Sequence, residues 1–175
     1  MWIHVIESPL GDLSAYWSEL GISRLCFGRA VQAVAHIDSS AAGPAAGARA
    51  LVSSLAEYFD GGELEFPLAH IDWTGTPDFH RRVLGLCAQI ARGQTMTYGA
   101  LAAAADSPGA ARAVGQAMAR NRWPLIIPCH RVLGHSGRLT GYSGSGGTDT
   151  KRALLDFEAS GSPLTIALAT ERAFA

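Results

Sequence analysis

The sequence predicts a mixed α/β (α+β) protein with an acidic first half and a basic second half. Short runs rich in β-branched and aromatic residues open the chain, and helical periodicity dominates its second half. The sign of the charge changes near residues 72–78, where turn-forming residues cluster. We therefore expect one domain over residues 1–72, a second over residues 73–160, and a tail over residues 161–175.

The first half combines an antiparallel meander with one helix. Strands are predicted in WIHVIES, DLSAYWS and GISRLCFG, which short glycine-containing turns separate. A helix is predicted from Pro44, with an apolar face formed by Leu51, Leu55, Tyr58 and Phe59. The segment ELEFPLA reads as one more strand. Nothing in this half has the spacing of a catalytic site.

The second half is predicted to be largely helical. PDFHRRVLGLCAQIARG has one apolar face and ends at Gly93, and TYGALAAAAD forms a short helix that Thr97 caps. SPGAARAVGQAMARN forms a third helix, with Ser107 at the N-cap and Pro108 in the first helical position. Two short helices joined at DSPG have helix-turn-helix proportions.

The charge distribution points to a polyanionic partner for the second half. Residues 1–78 carry three basic and ten acidic side chains, whereas residues 79–152 carry ten basic and two acidic ones. Such asymmetry indicates polyanion binding, although attraction between the two halves also accounts for it. The third helix has an Ala/Gly surface without the polar side chains that read base edges. This favours sequence-independent DNA contact, or reflects only the high helix propensity of alanine.

Composition excludes several classes of protein. With 48% hydrophobic residues in 175, the chain is globular and not disordered. It has no long apolar run and no basic, apolar leader, so we expect a soluble cytoplasmic protein without a membrane partner. Cys26, Cys87 and Cys129 form no C-x-x-C pair, so neither a disulfide framework nor a metal site is expected.

Cys129 is the candidate nucleophile. It follows LII, predicted as a short strand between two prolines, and precedes His130 directly. A free thiol ionises near pH ~8.5, so it needs a base, yet adjacent residues in an extended chain point apart. A bend or a bridging water must therefore connect the two. Glu158 shares a helical face with Leu154 and Leu155, so it points inward and could orient His130, unless it serves as a cap or surface residue.

A glycine-rich loop lies between the thiol and this acid. The segment TGYSGSGGTD holds Tyr142 and Ser143, and its glycines allow backbone amides to approach a ligand closely. Phosphate binding is the weaker alternative, because the loop lacks the G-x-x-x-x-G-K-[ST] spacing.

These motifs together resemble the methylated-DNA-protein-cysteine methyltransferases, also called O6-alkylguanine-DNA alkyltransferases. The resemblance covers about residues 74–160 and consists of GQTMTYGALA, PGAARAVGQAM, Asn121, IPCHRV, GYSG and KRALLDFE in order. It implies an N-terminal ribonuclease-H-like α/β domain of structural role, followed by a winged helix-turn-helix domain that carries the active site. It also implies a monomer that uses no metal and no organic cofactor.

The activity implied by the resemblance is direct DNA repair. The protein would bind double-stranded DNA containing O6-alkylguanine through the minor groove, without sequence specificity, and flip the damaged base into a pocket. Cys129 would accept the alkyl group irreversibly and once per chain. His130 would deprotonate it through a water, with Glu158 orienting the imidazole.

The resemblance also implies roles for the remaining site residues. Tyr98 would donate a hydrogen bond to the guanine ring, and Arg112 would fill the space that the flipped base leaves. Asn121 would hold the hinge before the active-site segment. The other residues expected to bind substrate or DNA are Met118, Tyr142 and Ser143.

Two departures from the family pattern stand out. Arg122 and Trp123 precede Pro124 where the family usually has proline directly after the asparagine, and the loop between Tyr142 and Lys151 is two residues longer. Two other functions remain open. One is a Cys-His-Glu hydrolase acting on an acyl carbon, and the other is a non-enzymatic alkyltransferase-like protein that only binds lesions.

Overall fold

The computed structural model describes residues 1–28, 44–142 and 146–164. Within these ranges the chain is a mixed α/β fold whose sheet and helices share a hydrophobic core. The strands are β1 (Trp2–Ile6), β2 (Leu13–Ser18), β3 (Gly21–Phe27), β4 (Met96–Thr97) and β5 (Val132–Leu133). The helices are α1 (Pro44–Phe59), α2 (Asp78–Cys87), α3 (Tyr98–Ala104), α4 (Ala111–Ala119) and α5 (Gly147–Ser160). None of these helices, in the part of the chain described, has the length and apolar character to cross a membrane.

The predicted meander and its helix are confirmed. Strands β1, β2 and β3 are antiparallel and lie in that order, with a register shift between Tyr16 and Trp17. Helix α1 packs on β2 and β3 and buries Leu51, Leu55 and Tyr58, as its apolar spacing predicted. The first half therefore has one layer of sheet and one of helix.

The strand predicted in ELEFPLA is wrong. Only Ile71, just beyond it, pairs with β3, through an isolated parallel bridge to Ile22. Pro67 has no N–H to give to a ladder, and the chain turns there into a 3-10 helix over Leu68–His70.

The second half has the predicted helices with different ends. Helix α2 stops at Cys87, before Gly93, and the side chain of Thr97 caps α3 by accepting from the N–H of Ala100 at 3.1 Å. Helix α4 begins at Ala111, so the predicted cap at Ser107 is wrong. Gly109 has a φ of +88°, a left-handed conformation that no helix interior contains, and it forces the helix to start later.

The strand predicted in LII, before Cys129, is also wrong. This segment is a turn in which the N–H of Ile127 donates to the carbonyl of Trp123 at 2.8 Å. Leu125 takes a φ of +71°, which breaks the extended conformation that a strand needs. Strand β5 begins soon after Cys129 and pairs in parallel with β4, at Met96↔Val132 and Thr97↔Leu133.

Strand β3 connects the two halves. The N–H of Leu25 donates to the carbonyl of Arg122 at 2.8 Å, and the indole N–H of Trp123 donates to the carbonyl of Ile22 at 2.8 Å. Backbone groups at the edge of the sheet are thus satisfied by the segment that leads to the cysteine. The sheet supports the predicted site directly.

Candidate active site

A cavity of about 830 Å³ lies beside α3, α4 and the segment that carries Cys129. It brings together five of the predicted site residues, namely Tyr98, Arg112, Met118, Cys129 and Tyr142. His135 and Thr140 also line it, although the sequence did not single them out as site residues. The predicted residue Ser143 lies outside the described residues.

A tight turn separates the side chains of Cys129 and His130. Both residues lie in a 3-10 helix, Cys129–Arg131, in which three residues complete a turn and neighbouring side chains diverge. Cys129 lines the cavity and is 4% exposed, whereas His130 is 0% exposed and lies behind it. The chain bends at this pair, and a bridging water remains the predicted link between the two side chains.

Asn121 fixes the segment that ends at this turn. Its Nδ2 donates to the carbonyl of Ile127 at 2.8 Å, and its Oδ1 accepts from the N–H of Trp123 at 3.0 Å. Because Asn121 is buried, both bonds form away from water and hold the segment in one shape. Asn121 therefore positions the cysteine without reaching the cavity.

His130 pairs with the predicted acid. Its Nε2 lies 2.7 Å from Oε1 of Glu158, and both side chains are buried. Among the described residues, no hydrogen-bond partner reaches the buried Nδ1 of His130. With a proton on Nε2 facing the carboxylate, Nδ1 is left with a lone pair that can accept a proton.

Glu158 lies at the centre of a buried hydrogen-bond network. Arg131 donates from Nε to Oε2 at 2.9 Å and from Nη2 to Oε1 at 2.8 Å. Tyr58 donates its hydroxyl to Oε1 at 2.7 Å, and the N–H of Gly93 donates to Oε2 at 3.4 Å. Burial alone would raise the pKa of Glu158, but the bonds from His130 and Arg131 outweigh it and hold that pKa well below its usual range. The carboxylate is ionised at neutral pH.

His130 is held neutral. Burial lowers its pKa more than the hydrogen bond and charge of Glu158 raise it, and the cations Arg131 and Lys151 lower it further. A neutral imidazole held in one orientation can act as a general base.

Lys151 is a buried cation below the cavity. It is 0% exposed, and its Nζ donates to the carbonyl of Val132 at 2.6 Å. Burial lowers its pKa, while the nearby thiols of Cys129 and Cys87 raise it, so an ammonium at Lys151 and a thiolate at Cys129 stabilise each other.

Two tyrosines face the cavity with phenols that stay protonated. Burial raises the pKa of Tyr98, whose hydroxyl accepts from the hydroxyl of Thr140 at 3.0 Å. Burial and the charges at Cys129 and Glu158 raise the pKa of Tyr142. The Tyr98 phenol can therefore donate a hydrogen bond to a molecule in the cavity, whereas the Tyr142 hydroxyl is buried and has no hydrogen-bond partner among the described residues.

Helix α4 forms one wall of the cavity and presents a cation at its rim. Arg112 is exposed in its first turn, while Met118 is buried and lines the cavity. Gly115 and Ala119 give this wall a surface without large side chains. A surface with such small side chains allows a ligand to approach the helix backbone closely.

Comparison with known proteins identifies the family. Residues 78–160 match the family described as 6-O-methylguanine DNA methyltransferase, DNA binding domain. The methylated-DNA–protein-cysteine methyltransferase of Methanothermobacter thermautotrophicus is 36% identical over 150 residues, covering 86% of this chain and 81% of that protein. The chain belongs to this methyltransferase family.

Two further comparisons extend the likeness over almost the whole chain. The constitutive methyltransferase of Bacillus subtilis is 38% identical over 160 residues, covering 87% of this chain and 92% of that protein. The crystal structure of Mycobacterium tuberculosis OGT in complex with DNA matches with a TM-score of 0.76 at 36% identity, covering 97% of this chain and 99% of that one. The first half thus has a counterpart in these methyltransferases as well.

Three buried side chains of this methyltransferase were not expected at the site. Lys151 does carry a signal, because it shares a helical face with Leu154 and Glu158 and so lies on an apolar stripe. Arg131 follows His130 directly, but its position in the sequence does not report that its side chain pairs with Glu158. Tyr58 gave no signal, since a tyrosine on the apolar face of a helix reads as core packing.

Proposed function

We propose that this methyltransferase repairs O6-alkylguanine in DNA directly, by moving the alkyl group irreversibly onto Sγ of Cys129. The observation that carries the proposal is Cys129 on the wall of a cavity of about 830 Å³, with the buried His130–Glu158 pair behind it. Cavities of roughly 300–1,000 Å³ accommodate small molecules, and a purine base is of that class. Family membership supports the same reaction.

The chemistry is one displacement at carbon. His130 accepts the thiol proton at Nδ1 through a water, and Glu158 stabilises the imidazolium that forms. The thiolate then attacks the alkyl carbon, the S–C bond forms, and the bond from that carbon to O6 breaks with its electron pair on guanine. Tyr98 donates to the ring nitrogen and so makes guanine a better leaving group. The thioether has no facile route back, so each chain reacts once.

DNA is the partner that the match to a DNA-binding domain and the likeness to the OGT–DNA complex support. We infer that double-stranded DNA binds through its minor groove without sequence specificity. The smooth surface of α4 fits that groove, and exposed Arg112 would occupy the space left by the flipped base. Flipping costs a few kcal/mol and is easiest for a poorly paired base, which favours lesions. Tyr142, Ser143 and Met118 would line the pocket.

The domain organisation is part of the proposal. Residues 1–72 would form the ribonuclease-H-like domain and residues 73–160 the winged helix-turn-helix domain, with α3 and α4 as its two helices. Of the tail over residues 161–175, the described part packs on the first domain, where the N–H of Leu164 donates to the carbonyl of Phe59 at 2.8 Å. We propose a monomer that acts on DNA in the cytoplasm.

The names of the relatives favour alkyl transfer over a hydrolase and over mere lesion binding. The test is to incubate the chain with a duplex that carries O6-methylguanine and to map the modified peptides by mass spectrometry. We expect one methyl group on Cys129 and none on Cys26 or Cys87, which serve as internal controls. A Cys129→Ser variant should bind the duplex and remain unmodified.

Two results would overturn the proposal. Restored guanine without modification of the protein would indicate a hydrolase. Binding of the duplex by unmodified wild-type protein, with the lesion left intact, would indicate a lesion-binding protein.

A further inference from the structure

A tyrosine of the first half reaches the acid of the proposed catalytic network. Tyr58 lies on α1, outside the matched residues 78–160, and is 1% exposed. Its hydroxyl donates at 2.7 Å to Oε1 of Glu158, the same oxygen that lies 2.7 Å from Nε2 of His130. Tyr58, His130 and Arg131 therefore share one acceptor oxygen.

Packing prevents Tyr58 from leaving this position. Its ring meets the rings of Phe59 and Phe157 edge to face, each with centroids 5.3 Å apart. The guanidinium of Arg92 lies 5.2 Å from the centroid of the Tyr58 ring and donates to the carbonyls of Tyr58 and Phe157, each at 3.3 Å. Arg92 thereby ties the end of α1 to the end of α5, which carries Glu158.

The hydroxyl of Tyr58 keeps its proton at neutral pH and so remains a hydrogen-bond donor. Burial and the charge of Glu158 raise the pKa of Tyr58 well above its usual value. A permanent donor on Oε1 withdraws negative charge from the carboxylate and makes it less basic. A less basic Glu158 in turn lowers the affinity of neighbouring groups for protons.

The charged and titratable groups that face His130 and Glu158 come from several elements. They are Tyr58 on α1, Arg92 before β4, Cys129 and Arg131 on the 3-10 turn, Tyr142 in the loop and Lys151 on α5. Of these, only Tyr58 and Arg131 donate side-chain hydrogen bonds to the carboxylate besides His130, within the described ranges. Arg131 carries a fixed charge, so Tyr58 is the donor whose removal changes the basicity of Oε1 without removing a charge.

We propose that Tyr58 is a positioning residue for the alkyl transfer, holding Glu158 so that His130 stays neutral and oriented to accept the thiol proton. The inference rests on the proposed function of Cys129, His130 and Glu158. It gives the first half of the chain a part in the chemistry beyond support of the second.

The test is the pH dependence of the single-turnover rate on a duplex carrying O6-methylguanine. Removing the hydroxyl in Tyr58→Phe makes the site more negative, so His130 and the thiol both hold their protons more tightly. The pH below which the rate falls should therefore rise, by about half a pH unit. Tyr16→Phe, which removes a hydroxyl from β2 in the same half of the chain, should leave that pH unchanged.

A purely structural role for Tyr58 predicts a different result. Tyr58→Phe would then lower the rate by one factor at every pH, with the falling limb in its original place, and the inference would be overturned. A shape-preserving change covers the case in which Tyr58→Phe does not fold. Placing 3-fluorotyrosine at position 58 makes the phenol a stronger donor, so the limb should move to lower pH, and no movement would contradict the inference.

A second readout separates this inference from the proposed function. Alkylation of Cys129 by iodoacetamide, followed at the peptide level across the same pH range, needs no DNA. The pH below which alkylation slows should rise in Tyr58→Phe and fall in the 3-fluorotyrosine protein, as for methyl transfer. If wild-type protein takes no methyl group from the duplex, the proposed function fails, and the iodoacetamide limb still decides the role of Tyr58.

Discussion

Replacing Glu158 by glutamine should destabilise this protein, because it breaks a buried ion pair and its hydrogen bonds. The carboxylate accepts hydrogen bonds from Tyr58, from His130 and twice from Arg131, at distances between 2.7 and 2.9 Å. Glutamine keeps the size but presents an amide NH₂ to one set of donors and leaves Arg131 buried without its counter-ion. Removing one partner of a buried ion pair costs about 3–5 kcal/mol.

That cost is large on the scale of the whole fold. Domains have unfolding free energies of about 5–15 kcal/mol, so a cost of about 3–5 kcal/mol from Glu158→Gln is roughly a fifth or more of the total. The effect should also depend on pH. The pKa of Glu158 is held below its unfolded value of about 4.3, so the unfolded chain binds more protons below that pH. The difference between wild type and variant should be constant near neutral pH and shrink as pH falls below about 4.

Urea denaturation followed by circular dichroism at several pH values measures this difference. Asp156→Asn on the same helix is the matched control, because Asp156 is exposed and its change should alter stability by no more than about 0.5 kcal/mol. A Glu158→Gln protein within about 1 kcal/mol of wild type, with the same pH dependence, would refute the reasoning.

Three further predictions follow from the same contacts. Burial lowers the pKa of His130 in the folded protein, so below the unfolded pKa of about 6.5 the unfolded state binds more protons, and wild-type stability should fall as pH drops through that value. Urea titrations of His130→Gln should lack this pH dependence, and a variant that retained it would show that His130 is not its origin. Lys151→Met should slow methyl transfer roughly tenfold, because a cation that favours the Cys129 thiolate is lost, and an unchanged single-turnover rate would contradict this. Trp123→Phe removes one of the two hydrogen bonds to the carbonyl of Ile22, which still accepts from the N–H of Asp72, and leaves a smaller ring in the core. Urea midpoints should therefore report a loss of about 1–3 kcal/mol, and a loss below about 0.5 kcal/mol would contradict this reasoning.

The features that could be predicted from sequence are those with a local cause. Alternation and turn residues gave the meander, and the spacing of Leu51 and Leu55 gave the buried face of α1. Thr97 caps its helix through a bond to a residue three positions on. Glu158 faces inward because helical phase alone places it beside Leu154.

The predictions of secondary structure were wrong where distant hydrogen-bond partners or unusual dihedral angles determine the backbone conformation. LII is apolar and reads as a strand, but its hydrogen bonds go to Trp123 and Asn121 in a turn that Leu125 closes. The start of α4 was predicted too early, because Gly109 takes a left-handed conformation that cannot be predicted from the sequence.

Only some residues of the candidate site could be predicted from the sequence. Cys129 and His130 stand out as neighbours, whereas Tyr58 and Glu158 are 100 residues apart and meet only through the packing of α1 against α5. No periodicity or motif reports a contact of that kind. The first half, in which no catalytic spacing was found, therefore contributes a side chain to the hydrogen-bond network around Glu158.

The most direct test of the central claim is a titration of methylated duplex against a fixed amount of protein, counting the guanines restored. We predict that restoration stops at one guanine per chain, and that Cys129→Ser restores none. Continued restoration beyond one equivalent, or any restoration by the serine variant, would contradict the assignment of Cys129 as the terminal acceptor.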